Sequence, residues 1–117
     1  MQNLPASLKG QAQPLERCLR AMDAAMPLRT VYLFGSHVRG EARPDSDVDL
    51  CVVSDEADHQ FAASRRLSEA VLDIWPRPAL TLIPISPQRL REKQAVKDHF
   101  FATVLTEGVP IATEDGL

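Results

Sequence analysis

The run Val48-Asp49-Leu50-Cys51-Val52-Val53 sets a single carboxylate inside an otherwise apolar, β-forming stretch. Apolar residues without polar alternation are the pattern of a central strand covered on both faces. An isolated aspartate desolvated there is unfavourable unless a cation or hydrogen-bond donors meet it. The chain must therefore build a sheet with helices on both sides, and it must bring a partner to Asp49.

The rest of the sequence supplies those layers. Between Gln11 and Met26, Leu15, Cys18, Leu19, Met22 and Met26 recur at three- and four-residue spacing, the stripe of an amphipathic helix whose first turn holds Pro14. Thr30–Phe34 is β-branched and aromatic and stops at Gly35, which predicts a buried strand. Phe61, Leu67, Ala70, Val71 and Ile74 give a helical face between Asp58 and Trp75, ended by Pro76 and Pro78; Trp75 reads as a core anchor at the helix end. Ala79–Ile85 is a third strand, with Pro84 placing its end at an edge or a bulge. Ser86-Pro87 is an N-cap followed by proline at the first helical position, and Leu90 starts that helix's buried face. A last helical stretch through Phe100, Phe101, Val104 and Leu105 ends at Gly108, a residue suited to a left-handed cap. Phe100 and Phe101 cannot both face inward, so one of them is left for a partner or a wide buried face. Helix, strand, strand, helix, strand, helix predicts an α/β (α+β) fold, a short mixed β-sheet flanked by helices. A chain of 117 residues without repeats or linkers has one core, so residues 1–117 are expected to form one domain.

Charge and composition exclude several classes. Thirteen Lys and Arg against sixteen Asp and Glu give a net charge of −3. Bulk attraction to polyanions is disfavoured, and no direct nucleic-acid binding is expected. No apolar run nears the roughly 18 residues of a membrane span, and Met1–Gly10 lacks a signal-peptide layout, so a cytoplasmic location without membrane association is expected. Cys18 and Cys51 sit in apolar patterns and read as small buried hydrophobes in a reducing compartment. The charge is uneven: Glu41–Asp58 holds seven acids and one base, whereas His59–Phe100 holds seven bases and four acids. That suggests an acidic pocket facing a basic flank, against the plainer alternative of solvated surface charge.

The chemistry concentrates between Leu33 and Leu50. A strand running into Gly35-Ser36 and a short helical turn exposes backbone amides as anion donors, Gly35 lets the backbone approach a phosphate, and the Ser36 hydroxyl adds a donor. Beyond a ten-residue gap after Ser36 come Asp47 and Asp49, two apart on one strand and so on one face, with Cα atoms about 6.5 Å apart. Two acids packed side by side repel, and an oxygen-seeking cation such as Mg2+ would relieve them. A calcium-loop reading of Asp45, Asp47, Asp49 and Glu56 fails, because its glycine position is Leu50 and the loop would run through strand residues.

Gly35-Ser36, the ten-residue gap and Asp47-Val48-Asp49 resemble the signature of the DNA polymerase β-like nucleotidyltransferases. With Arg39-Gly40 and Ser46-Asp47-Val48-Asp49-Leu50, the chain is most similar to the minimal nucleotidyltransferases, antitoxins often encoded beside a HEPN-domain toxin. The resemblance extends from Thr30 to Ile111, including the strand-Ser-Pro-helix passage at Leu82–Leu90 and Glu107-Gly108-Val109.

The resemblance implies a single-domain nucleotidyltransferase fold and a transfer of AMP from ATP to a hydroxyl, a tyrosine of the partner HEPN toxin, which is thereby neutralised. Gly35 and Ser36 would bind the nucleotide, with Arg39 as a charge clamp. Asp47 and Asp49 would be the catalytic carboxylates and the Mg2+ ligands. One position departs from the family pattern. The third acid expected on the strand before Ser86-Pro87 falls at Thr81, which cannot act as a carboxylate base. Asp73, Glu69 and His37 are then the substitutes nearest in the reading. The alternative is a catalytically impaired antitoxin of the same fold that neutralises its partner by binding alone.

Overall fold

In the computed structural model, which describes residues 1–116, the predicted layers form around four strands. A 3-10 segment, Ala6–Gln11, leads into α1 (Ala12–Ala25), followed by β1 (Thr30–Phe34), α2 (Ser36–Arg39) and β2 (Val48–Val53). Then come α3 (Gln60–Ala70), β3 (Leu80–Ile85), α4 (Pro87–Ala95), α5 (His99–Glu107) and β4 (Val109–Thr113). The sheet order is β3-β2-β1-β4. β1 is antiparallel to both β2 and β4, while β2 and β3 are parallel and joined through α3, so the sheet is mixed as expected. β2 is internal, as its unbroken apolar run requires, and Pro84 lies on the edge strand β3.

Each face of the sheet buries its own cluster. Val31, Leu33, Val48, Leu50, Val52 and Ile111 pack with Leu15, Leu19 and Met22 of α1 and Ala63 and Leu67 of α3. On the opposite face Cys51, Val53 and Ile85 pack with Phe101 and Val104 of α5, with Leu90 of α4 at the margin. Alternation along β2 assigns Asp49 to this second face with Cys51 and Val53. Both cysteines are buried and free. Among the described residues no helix is long and apolar enough to cross a membrane.

The chain termini of the helices obey the sequence in part. Ser86 Oγ accepts the Arg89 amide at 3.2 Å with Pro87 in the first turn, and Asp98 Oδ1 accepts the Phe101 amide at 3.0 Å. α4 buries no residue fully, so the expected inner face reduces to the half-buried Leu90. Gly108 is extended, at φ −68° and ψ 154°, and does not form a left-handed cap. Its glycine is explained instead by close approach, since a Cβ there would overlap the Val104 carbonyl oxygen. β4, absent from the sequence reading, follows directly.

α3 also corrects two expectations. The helix stops at Ala70, short of Pro76; its buried residues are Ala63 and Leu67, Val71 and Ile74 continue the buried line beyond its end, and Phe61 stands about 200° from Ala63 and points to solvent. Trp75 is 80% exposed, so it is no core anchor; Ile74 fills that position.

Candidate active site

The site begins where β1 ends. Gly35 has φ 81° and ψ −153°, and a Cβ on it would overlap Oδ2 of Asp49, so the Asp49 carboxylate lies directly against the glycine backbone. Only glycine permits both the dihedral and the contact. The turn of α2 follows: the Val38 and Arg39 amides donate to the Gly35 carbonyl at 3.1 Å, the Glu41 amide donates to the Ser36 carbonyl at 2.9 Å, and Gly40 closes the turn in the left-handed region. Ser36 thus opens a turn beside the carboxylate.

Asp47 stands just before β2, exposed, and Asp49 is half-buried. β3 supplies their third neighbour. Thr81 is the ladder partner of Asp49, and its hydroxyl donates to Asp47 Oδ2 at 3.2 Å. Burial is the main cause that holds the Asp49 carboxyl above the ordinary carboxylate range; the Thr81 hydroxyl offsets part of it, the Asp47 charge adds to it, and His37 and Arg39 oppose it. The hydroxyl therefore sits between the two acids, bonded to one and felt by both.

The loop between the two halves is braced from outside. His37, 6% exposed, shares a 2.9 Å hydrogen bond between Nδ1 and Ser7 Oγ, with Nε2 3.5 Å from the Ser46 carbonyl. Ser46 Oγ accepts the Arg43 amide at 2.7 Å. His37 thereby braces the loop that carries Asp47. Glu69, on α3, pairs with Arg65 at 3.2 Å, and Asp73 lies in the turn just after that helix; α3 packs on the sheet face opposite Asp49. Neither Glu69 nor Asp73 is placed to replace the acid missing at Thr81.

Arg39 is 44% exposed and held by acids, with Nε 3.3 Å from Glu41 Oε2 and one Nη 3.9 Å from Glu107 Oε2. The other acids of the 41–58 segment disperse. Asp55 takes a bidentate pair with Arg29 at 2.8 Å, and Glu56 meets Arg66 at 3.1 Å, so the calcium-loop residues do not converge. The Ser7, Glu107 and Phe34–Phe100 contacts had no signal in the sequence, because each joins residues far apart in the chain.

The structure thus gathers Gly35, Ser36, Asp47, Asp49 and Thr81 at one end of the sheet. Among the described residues no three His, Cys, Asp or Glu side chains gather as a metal-holding group. Two hard oxygen donors beside a Gly-Ser turn still fit Mg2+, which commonly takes one or two protein carboxylates and completes its shell with water and substrate phosphates. Burial first, and the Asp47 charge after it, hold the Asp49 carboxyl high, and a cation beside it would favour its charged form.

A mixed sheet whose first hairpin sets a Gly-Ser turn against paired carboxylates is the frame of a phosphate-handling α/β protein. The chain belongs to the nucleotidyltransferase domain family, which it matches over residues 15–106. It is 37% identical over 65 residues to the "Probable protein adenylyltransferase MntA" of Haemophilus influenzae. That match spans 56% of this chain and 56% of the relative, so the shared region is just over half the length of that protein. The fold is shared with a "putative nucleotidyltransferase" of Sulfolobus solfataricus, at a TM-score of 0.65 and 20% identity over 93% of this chain and 86% of that one. A chain in the crystal structure of a toxin-antitoxin with AMP-PNP has a TM-score of 0.52 and 22% identity, with 84% and 72% covered.

Proposed function

We propose that this protein is an antitoxin that transfers AMP from ATP to a hydroxyl, a tyrosine side chain, of a partner HEPN-domain toxin and so neutralises it. The observation that carries the reading is the Asp49 carboxylate packed on Gly35, with Asp47 tied beside it through Thr81. Family membership and the similarity to a protein named as an adenylyltransferase support it.

Gly35 and Ser36 would receive the triphosphate, and Arg39 would swing from its acidic partners to the phosphates. Asp47 and Asp49 would hold Mg2+, which when bound offsets the negative charge of the phosphates. The acceptor oxygen bonds to the α-phosphorus as the bond to the bridging oxygen breaks. Pyrophosphate departs, and the hydroxyl proton passes to water, because Thr81 offers no carboxylate to take it.

Thr81 also favours a second reading, a fold that neutralises its partner by binding alone. One experiment separates the two: incubation with ATP, Mg2+ and the neighbouring gene product, followed by intact mass. An AMP-sized increment that disappears in Asp47→Ala and Asp49→Ala supports transfer. No increment, with inhibition of the partner retained in both variants, leaves only binding.

A further inference from the structure

Phe100 and Phe101 divide as their spacing requires. Phe101 is buried among Cys51, Val53 and Ile85, whereas Phe100 stays 45% exposed. The exposed ring nevertheless has two aromatic neighbours. It stands nearly perpendicular to Phe34, with centroids 5.7 Å apart, and nearly perpendicular to Phe101, at 5.1 Å. Such edge-to-face contacts are a favoured arrangement of aromatic rings and favour this orientation of Phe100 while part of its surface remains open.

The position of the pair matters more than its exposure. Phe34 is the cross-strand partner of Asp49, so both side chains project from the same sheet face, with Cβ atoms about 5 Å apart. Phe34 also immediately precedes Gly35, the residue against which the Asp49 carboxylate lies. From the carboxylates, one step across the sheet reaches Phe34 and a second step reaches the open ring of Phe100. A nucleotide spans the same interval, with phosphates at one end, a ribose between, and a flat base at the other.

We infer that the Phe34–Phe100 pair is the nucleobase shelf of this site and makes it selective for purine nucleotides, an inference that rests on the transferase reading. A rigid ring recognises a base by its π-face, and the stacking is tolerant of edge chemistry. A two-ring purine covers more of the shelf than a pyrimidine. The shelf therefore ranks adenine and guanine together above cytosine and uracil, and does not read the amino or carbonyl groups that distinguish the two purines.

The test is calorimetric titration of the whole chain in Mg2+ with the α,β-methylene triphosphates of the four nucleosides and with tripolyphosphate. The expected result is at least fivefold tighter binding of both purine analogues than of either pyrimidine analogue. Phe100→Ala and Phe100→Leu are expected to lose about tenfold in purine affinity, and Phe100→Trp to retain it. The leucine variant keeps most of the volume, so its unchanged melting temperature separates a lost stack from a lost fold. Equal affinity for all four bases, or an unchanged purine affinity in Phe100→Leu, overturns the shelf while the phosphate site stands. A wild-type chain that binds neither nucleotides nor tripolyphosphate overturns the transferase reading and the shelf with it.

Discussion

Thr81 faces Asp49 across the parallel β2–β3 ladder, and its hydroxyl donates to the second carboxylate, Asp47, at 3.2 Å. A neutral donor placed between two acids lowers their repulsion without adding charge. It also occupies the only ladder position from which β3 could offer a third carboxylate to the pair, since Leu80 and Leu82 turn to the other face. The residue that quiets the resting site thus stands where a third carboxylate would otherwise lie.

Thr81→Asp tests that trade directly. A third acid beside Asp47 and Asp49 is expected to destabilise the metal-free protein by about 1 kcal/mol, or roughly 4 °C in melting temperature, with the loss recovered on adding Mg2+. The added carboxylate supplies a proton acceptor, and AMP transfer to the partner is expected to rise about a hundredfold. Calorimetry and intact-mass time courses read the two effects; an unchanged transfer rate would show that the missing acid is not what limits the reaction.

Gly35→Ala introduces a side chain at φ 81° and drives its Cβ into Asp49 Oδ2. Strain of this kind costs about 1–3 kcal/mol, and displacement of the carboxylate should abolish transfer. Gly10→Ala is the control, because a Cβ there meets nothing within 4 Å and its effect should stay within about 0.5 kcal/mol. Similar melting temperatures for the two variants would contradict the close packing of Gly35 on Asp49.

Asp49 and Asp55 should respond to pH with opposite signs. Burial raises the Asp49 carboxyl above its ordinary 3.8, so the folded state holds that proton more tightly than the unfolded state does. Stability is then favoured below the ordinary value and declines as pH rises through the raised one. Asp49→Asn removes this loss: without Mg2+ it should melt higher than wild type at pH 7, with the difference closing under acid. The Arg29 hydrogen bond lowers the Asp55 carboxyl, so its contribution is present above the ordinary value and fades as pH falls. Asp55→Asn should therefore melt lower than wild type at pH 7, again converging in acid. Thermal melts from pH 3 to pH 7 decide both signs.

What the sequence revealed was whatever local chemistry had to satisfy. Asp49 in an apolar strand required a partner, and Gly35-Ser36 after a strand required a turn; the fold brings the two into contact. The internal place of β2 and the capping of α4 by Ser86 follow from the same kind of local demand. Long-range contacts were not legible: nothing in the chain announces that Ser7 reaches His37 or that Glu107 reaches Arg39. Trp75 misled because residue type was read as burial, whereas Leu67 of α3 with Val71 and Ile74 of the segment after it already complete the buried line. Gly108 misled because glycine answers two needs, left-handed backbone and close packing, and here it answers the second.

The exposure of Trp75 can be checked cheaply, since it is the chain's single tryptophan. Its fluorescence in the folded protein should already be that of a solvated indole, readily quenched by iodide and little shifted on unfolding. Trp75→Ala should change stability by no more than about 0.5 kcal/mol. Leu50→Ala, at a fully buried position of β2, should cost about 2–5 kcal/mol. A blue-shifted, unquenchable emission would return Trp75 to the core.

Arg39 allows a structural role to be separated from a chemical one, because its partners in the resting structure are two acids, Glu41 and Glu107, that a phosphate would replace. Its pairs with Glu41 and Glu107 are solvent-exposed, and pairs of that kind contribute about 0–1 kcal/mol each. Releasing the guanidinium is therefore easy, while a charge-assisted contact to a phosphate contributes about 1.5–3 kcal/mol. Arg39→Ala should leave the melting temperature nearly unchanged and weaken ATP binding at least tenfold. Glu107→Gln, which removes a competitor for the same guanidinium, should tighten ATP binding instead, and Arg39→Ala should erase that gain in the double variant. If Arg39→Ala lowers the melting temperature and spares ATP affinity, the side chain is a staple between α2 and α5, and the nucleotide charge must be met elsewhere.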